Sequence, residues 1–115
     1  MSHVVEIRSY RLKPGTRDDF ARVFAEHAGP MLARWGVDVV GFGPSLHDPD
    51  SYYLIRRYDD AAAREKSQGA FYGSDEWKTG PRDAVLACID KYVTVVLTMD
   101  DVAVAALRGA PHGKA

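Results

Sequence analysis

The sequence has one cysteine, Cys88, and no excess of charge: 15 Lys and Arg stand against 16 Asp and Glu in 115 residues. A lone cysteine excludes an internal disulfide and any Cys-rich zinc or iron–sulfur site. With no recognisable leader, a single thiol leads us to expect a reducing, cytoplasmic setting. Met1-Ser2-His3 lacks a charged n-region followed by an apolar h-region, so no secretory signal is expected. The longest uninterrupted apolar run, Val102 to Leu107, is far shorter than a bilayer requires. Lys and Arg form no stripe or cluster, so neither nucleic acid nor an anionic membrane is expected as a partner. Gly41-Phe42-Gly43 lacks the rest of any phosphate-binding fingerprint. The four histidines show no metal-ligand spacing with carboxylates, and no metal is expected. Only His27 or His47 could serve as an axial haem ligand, and no cofactor is expected. No Ser-His-Asp or Cys-His arrangement has a recognisable context.

What remains is an ordinary globular composition, 46% hydrophobic and 27% charged. The length fits a single domain, placed at residues 1–108, with Gly109 to Ala115 expected to be a disordered tail. His3 to Leu12 alternates as a strand, with Val5 and Ile7 on one side and Glu6, Arg8 and Tyr10 on the other. Lys13-Pro14-Gly15 ends it. Thr16 is read as a helix N-cap with Asp19 in a capping-box position. Phe20, Val23, Phe24, His27, Met31 and Trp35 then follow at helical spacing. Gly29-Pro30 predicts a kink or break, because Pro30 has no N–H to donate. Gly36 reads as the residue closing this helix.

Asp38 to Gly43 is a second, weaker strand, and Tyr52 to Tyr58 a third. Asp59 or Asp60 caps a second helix that ends at Gly73. Gly80-Pro81 opens another, with proline at the favoured first position. Tyr92 to Met99 is the fourth strand, and Asp101 is expected to cap a short helix through Leu107. The order is β-α-β-β-α-β, a ferredoxin-like α+β plan with an antiparallel sheet and both helices on one face. The strands are apolar on both faces, which a solvated face would not be. The simplest cover is a second copy, sheet against sheet, in a two-fold homodimer.

Glu6-Ile7-Arg8-Ser9-Tyr10 with Leu12-Lys13-Pro14-Gly15 resembles the opening strand and turn of NIPSNAP-family domains. Glu26-His27-Ala28-Gly29-Pro30 resembles their first helix. Leu54 to Tyr58 with Asp60 and Ala62-Ala63-Arg64-Glu65 resembles their third strand and second helix, and Ala70-Phe71-Tyr72, Ser74 and Glu76-Trp77 the turn that follows. The resemblance runs from about Val4 to Met99. It implies the dimeric α/β-barrel superfamily, in which two sheets close into a barrel. That superfamily includes cofactor-free monooxygenases, haem-degrading oxygenases, isomerases and proteins with no known reaction, so fold is implied more strongly than function.

Glu6, Arg8 and Tyr10 on the first strand and Arg56 and Tyr58 on the third are the strongest chemical constellation. In a ferredoxin-like order these strands are neighbours. An Arg beside a Tyr in a dry pocket can hold a phenolate, enolate or carboxylate. The same residues could instead form a structural salt bridge of Glu6 with Arg8 or Arg56, or lie in solvent. His27 reads as either a satisfied core residue or a general base. Phe71, Tyr72 and Trp77 read as packing or as the rim of a planar-ligand site.

Two functions are expected from this. One is a small-molecule pocket in a homodimer, between the sheet and the first helix, taking a small organic ligand with an acidic or enolisable oxygen. If catalytic, it would be a cofactor-independent oxygenase or isomerase: His27 or Tyr10 would move a proton, and Arg8 and Arg56 would hold the anion, with Glu6, Tyr58 and Trp77 also binding substrate. The other is a non-catalytic dimerisation or protein-binding module.

Overall fold

The computed structural model of the chain describes residues 2–112. Eleven elements follow in order. Strand β1 (Ser2–Leu12) leads to α1 (Arg17–Val23), a π-helical turn (Phe24–Ala28) and α2 (Gly29–Arg34). Strands β2 (Asp38–Pro44) and β3 (Ser51–Tyr58) come next, then α3 (Ala61–Tyr72), α4 (Asp75–Thr79) and α5 (Arg82–Cys88). Strand β4 (Ile89–Asp100) and α6 (Asp101–Arg108) complete the chain. The sheet is antiparallel, in the order β2-β3-β1-β4, and remains open. This is the ferredoxin-like α+β arrangement, with β1 central between β3 and β4.

Several local expectations shift by a residue or change in kind. The Thr16 hydroxyl does not cap α1; it donates to the Lys13 carbonyl at 2.8 Å and lies 3.3 Å from that of Cys88. Gly29-Pro30 does not break the helix. The strain is absorbed upstream, where the Gly29 N–H reaches back five residues to the Phe24 carbonyl, and Pro30 then sits in the first turn of α2. Gly36, at φ 74°, and Val37 close that helix through the Ala33 and Leu32 carbonyls. Asp60 caps α3 through the Ala63 N–H at 2.7 Å. Asp100, rather than Asp101, caps α6 through the Ala103 N–H at 2.8 Å. Pro81 precedes α5 instead of occupying its first position.

The inner face of the sheet meets α1 to α5. Phe20 lies at its centre, 5.1 Å from Tyr52 and 5.2 Å from Tyr10 between ring centroids. Leu12, Met31, Leu32, Leu54 and Phe71 fill in around it. The outer face is not bare, as the strand pattern alone implied. Helix α6 lies on it, and Val104 packs with Val5, Val40 and Ile55. Arg108 ties α6 to Asp38 through a fork of 2.9 and 3.0 Å. His112 then docks behind Tyr53: its Nε2 donates to the Leu107 carbonyl at 2.8 Å, so its Nδ1 accepts from the Tyr53 hydroxyl at 2.7 Å. Gly41 makes room for this ring; a Cβ there would overlap it. Of the tail expected to be disordered, 113–115 lie outside the described residues. What α6 leaves open is a strip of β4, where Val93 and Val95 are more than half exposed. No helix among the described residues is long and apolar enough to cross a membrane.

Candidate functional site

The register sets Glu6 on β1 directly opposite Arg56 on β3, both on the inner face. Two positions along, Arg8 lies between Leu54 and Thr94, and Tyr10 between Tyr52 and Tyr92. Alternation therefore brings Glu6, Arg8 and Tyr10 into the interior together.

Glu6 is fully buried and Arg56 is 1% exposed. Glu6 Oε1 accepts from Arg56 Nε at 3.1 Å and from Arg56 Nη2. Its other oxygen accepts from Arg64 Nε at 2.8 Å and from Gln68 Nε2. Arg64, Gln68 and Tyr72 are spaced at four-residue intervals on α3, so one helix face delivers them all to the sheet. Arg56 Nη1 donates to the Tyr72 hydroxyl at 2.7 Å, and Gln68 Nε2 to that of Tyr58 at 3.2 Å. Burial raises the Glu6 pKa, but Arg56, Arg8 and Gln68 outweigh it and hold the carboxyl below its usual value. Burial also opposes charge on Arg56, and Tyr72, Tyr58 and Glu6 more than restore it. The structural salt bridge is therefore real, and it consumes Arg56.

Arg8 stands apart. It is 9% exposed, and its Nε lies 3.7 Å from Glu6 Oε1, too far for a hydrogen bond. That Nε has no hydrogen-bond partner. The guanidinium carbon sits 4.7 Å from the centre of the Tyr92 ring. One carboxylate thus faces three guanidinium groups, and Arg8 is the farthest of them from it.

Arg8 forms part of the wall of a half-open cleft of about 320 Å³. Tyr10, Tyr72, Trp77 and Tyr92 supply its aromatic sides, and Val85 and Ile89 contribute apolar surface. Trp77 packs edge-on to Tyr72, with centroids 5.2 Å apart. This cleft lies between the β1–β4 side of the sheet and α3 to α5, away from the first helix. At the centre of the sheet, Phe20, Phe24 and Leu32 leave only about 20 Å³ beneath the first helix, but a second, open cleft of about 390 Å³ lies between that helix and β2, lined by Phe24, Pro30, Ala33, Val39 and Phe42.

Of the residues expected to act, Arg8, Tyr10 and Trp77 reach the cleft; Glu6, Arg56 and Tyr58 form a layer behind it. His27 joins neither. It is exposed on the π-helical turn, whose wider winding rotates it off the apolar stripe. Burial pushes the Tyr10 phenol far above its ordinary pKa, which favours the protonated form. Tyr58 is raised by burial in the same way. Gln68 and Tyr92 were missed as site residues, whereas the sequence reads Tyr72 as packing or as the rim of a planar-ligand site. The polar positions 64 and 68, on a helix with a weak apolar stripe, were the available signal. No group of three or more His, Cys, Asp or Glu among the described residues could hold a metal ion.

The model of the NIPSNAP family matches residues 5–100. The chain belongs to the NIPSNAP family. Its fold is similar to that of a NIPSNAP family protein from Agrobacterium tumefaciens, with a TM-score of 0.80, 16% identity and 90% of each chain covered. A NIPSNAP-like domain protein from Burkholderia xenovorans superimposes with a TM-score of 0.76 at 19% identity, over 83% of each chain. A putative antibiotic biosynthesis monooxygenase from Bordetella bronchiseptica gives a TM-score of 0.65 at 22% identity, covering 88% of this chain and 98% of its own. At these identities the likeness is one of fold. The curated proteins contain no match.

Proposed function

We propose that this NIPSNAP-family chain is a homodimeric small-molecule-binding domain. Its cleft takes a modest, partly apolar molecule carrying an acidic or enolisable oxygen. The observation that carries this reading is Arg8: a nearly buried guanidinium on a cleft wall, with an unpartnered Nε and no carboxylate within hydrogen-bond reach. A buried charge left so is costly unless a ligand completes it. The layer behind supports the reading, because Arg56, held by Glu6, fixes the Tyr72 hydroxyl before any ligand arrives.

Cofactor-independent oxygenase- or isomerase-type turnover is the catalytic form of this proposal. Arg8 would hold an enolate or phenolate, and the protonated Tyr10 would donate to it. The residues lining the cleft include no carboxylate or histidine. A substrate that arrives already ionised suits such a site, since no base is then needed. The fold shared with a putative monooxygenase supports this form. The alternative, a non-catalytic dimerisation or protein-binding module, is favoured by the exposed Val93, Val95 and Val96 of β4.

Native mass spectrometry with a denatured control tests the proposal. The expected result is a two-chain mass with added mass that leaves on denaturation and is absent from Arg8→Gln. A one-chain species carrying nothing, with exposed β4 capturing no second copy at any concentration, would overturn it.

A further inference from the structure

We infer that the cleft recognises a flat monocarboxylate, with Arg8 as its anchor and the aromatic walls gripping its ring or conjugated body. This rests on the small-molecule reading above and narrows it to one chemical class.

Charge sets the first limit. Both Glu6 oxygens are already engaged, Oε1 by Arg56 and Oε2 by Arg64 and Gln68. Arg56 is further engaged by Tyr72, whereas Arg8 on the cleft wall keeps an Nε without a hydrogen-bond partner. Of the three guanidinium groups around the one Glu6 carboxylate, Arg8 alone lines the cleft, so a ligand there meets one cation. A dianion such as a phosphate monoester would carry a second charge toward Glu6, whose oxygen lies only 3.7 Å behind Arg8 Nε.

Donor geometry sets the second limit. The Tyr72 hydroxyl accepts from Arg56 at 2.7 Å, so its own proton is left to donate elsewhere. Tyr10 is protonated and lines the same cleft. A planar guanidinium with phenolic donors beside it matches a planar oxyanion with two acceptor oxygens.

The walls set the third. Arg8 is stacked over Tyr92, while Trp77 and Tyr72 pack edge-on against each other in the lining. Such a slot favours a flat apolar body over a branched or polar one. A volume of about 320 Å³ lies at the small end of ligand pockets, fitting one ring with a short arm.

The test is a ligand-observed and protein-observed NMR titration of the full chain with matched pairs: benzoate and benzamide, phenylacetate and phenylacetamide, cinnamate and cinnamamide. The acids are expected to bind at least tenfold more tightly than their amides and to shift Arg8, Trp77 and Tyr92 signals. Arg8→Gln is expected to erase that preference, and Arg8→Lys to keep part of it. Equal binding of acids and amides in the cleft would overturn the carboxylate assignment and leave the small-molecule reading standing. Binding of neither, by a folded wild-type protein, would overturn both. Should Arg8→Gln fail to fold, the wild-type acid-to-amide ratio decides alone.

Discussion

Replacing Glu6 with Gln changes one atom and removes the only negative charge from the buried cluster. Gln keeps the volume, so packing is a minor part of the effect. What changes is Arg56, which is 1% exposed and loses its counter-charge. Gln keeps one acceptor oxygen, so either Arg56 or the Arg64 and Gln68 of α3 then face an NH2 donor instead of an acceptor. Removing one partner of a buried pair costs about 3–5 kcal/mol, because the other charge stays desolvated. Domains of this size hold about 5–15 kcal/mol in total, so Glu6→Gln should sit close to unfolding. Equilibrium urea denaturation should show the midpoint falling with little change in slope, and Tm should drop by at least roughly 10 °C. The loss should also change the pH dependence. Glu6 has a folded pKa below its ordinary value of 4.5, so the unfolded chain binds its proton first. Its contribution is therefore complete above about pH 4.5 and fades as pH falls below it. Glu6→Gln should lack that acid slope. Glu6→Leu with Arg56→Met, which removes both charges, should recover part of the loss. A single-mutant cost under about 1 kcal/mol, with the acid slope unchanged, would refute the idea that Glu6 organises the cluster.

Three further outcomes are expected. Tyr72→Phe removes the acceptor of Arg56 Nη1 and should cost about 1–2 kcal/mol in urea denaturation, whereas a neutral effect would mean that Arg56 finds water instead. Gly41→Ala should destabilise by about 1 kcal/mol through displacement of His112, and should cost almost nothing in a His112→Ala background; a cost that persists there would place the strain in β2 itself. Val95→Lys lies on an exposed position and should leave thermal stability within about 0.5 kcal/mol while lowering the mass seen by light scattering from two chains to one; an unchanged mass would move the interface off β4.

Much of the fold could be read from residue patterns because strands and their faces obey a period of two. Glu6, Arg8 and Tyr10 alternate cleanly, and a ferredoxin-like order makes β1 and β3 neighbours, so the meeting of Glu6 with Arg56 was within reach. Which arginine stays free was not. That depends on register: Arg56 falls opposite Glu6 and is consumed, while Arg8 falls two residues on and is not. The Arg8 cleft was not legible for a similar reason. It is closed by α3 to α5 and the start of β4, while the space expected beside the first helix is filled at its centre by Phe20, Phe24 and Leu32 and open only against β2. His27 was misplaced because a helical wheel assumes 3.6 residues per turn, and the π-helical turn ahead of Pro30 breaks that phase. Helix α6 was foreseen as an element but not as the cover of the outer face. Val104 and Leu107 are too few to announce a docking surface without Val5, Val40 and Ile55 in view.

Two arginines differ in this site: Arg8 faces the cleft, and Arg56 is locked by Glu6 and Tyr72. Side-chain N–H signals of arginine, recorded by NMR while benzoate is added to the full chain, read that difference directly. The Arg8 signal should move and saturate, while those of Arg56 stay fixed and slow to exchange with solvent. Movement of Arg56 with Arg8 unchanged, or fast exchange at Arg56 before any ligand is added, would contradict it.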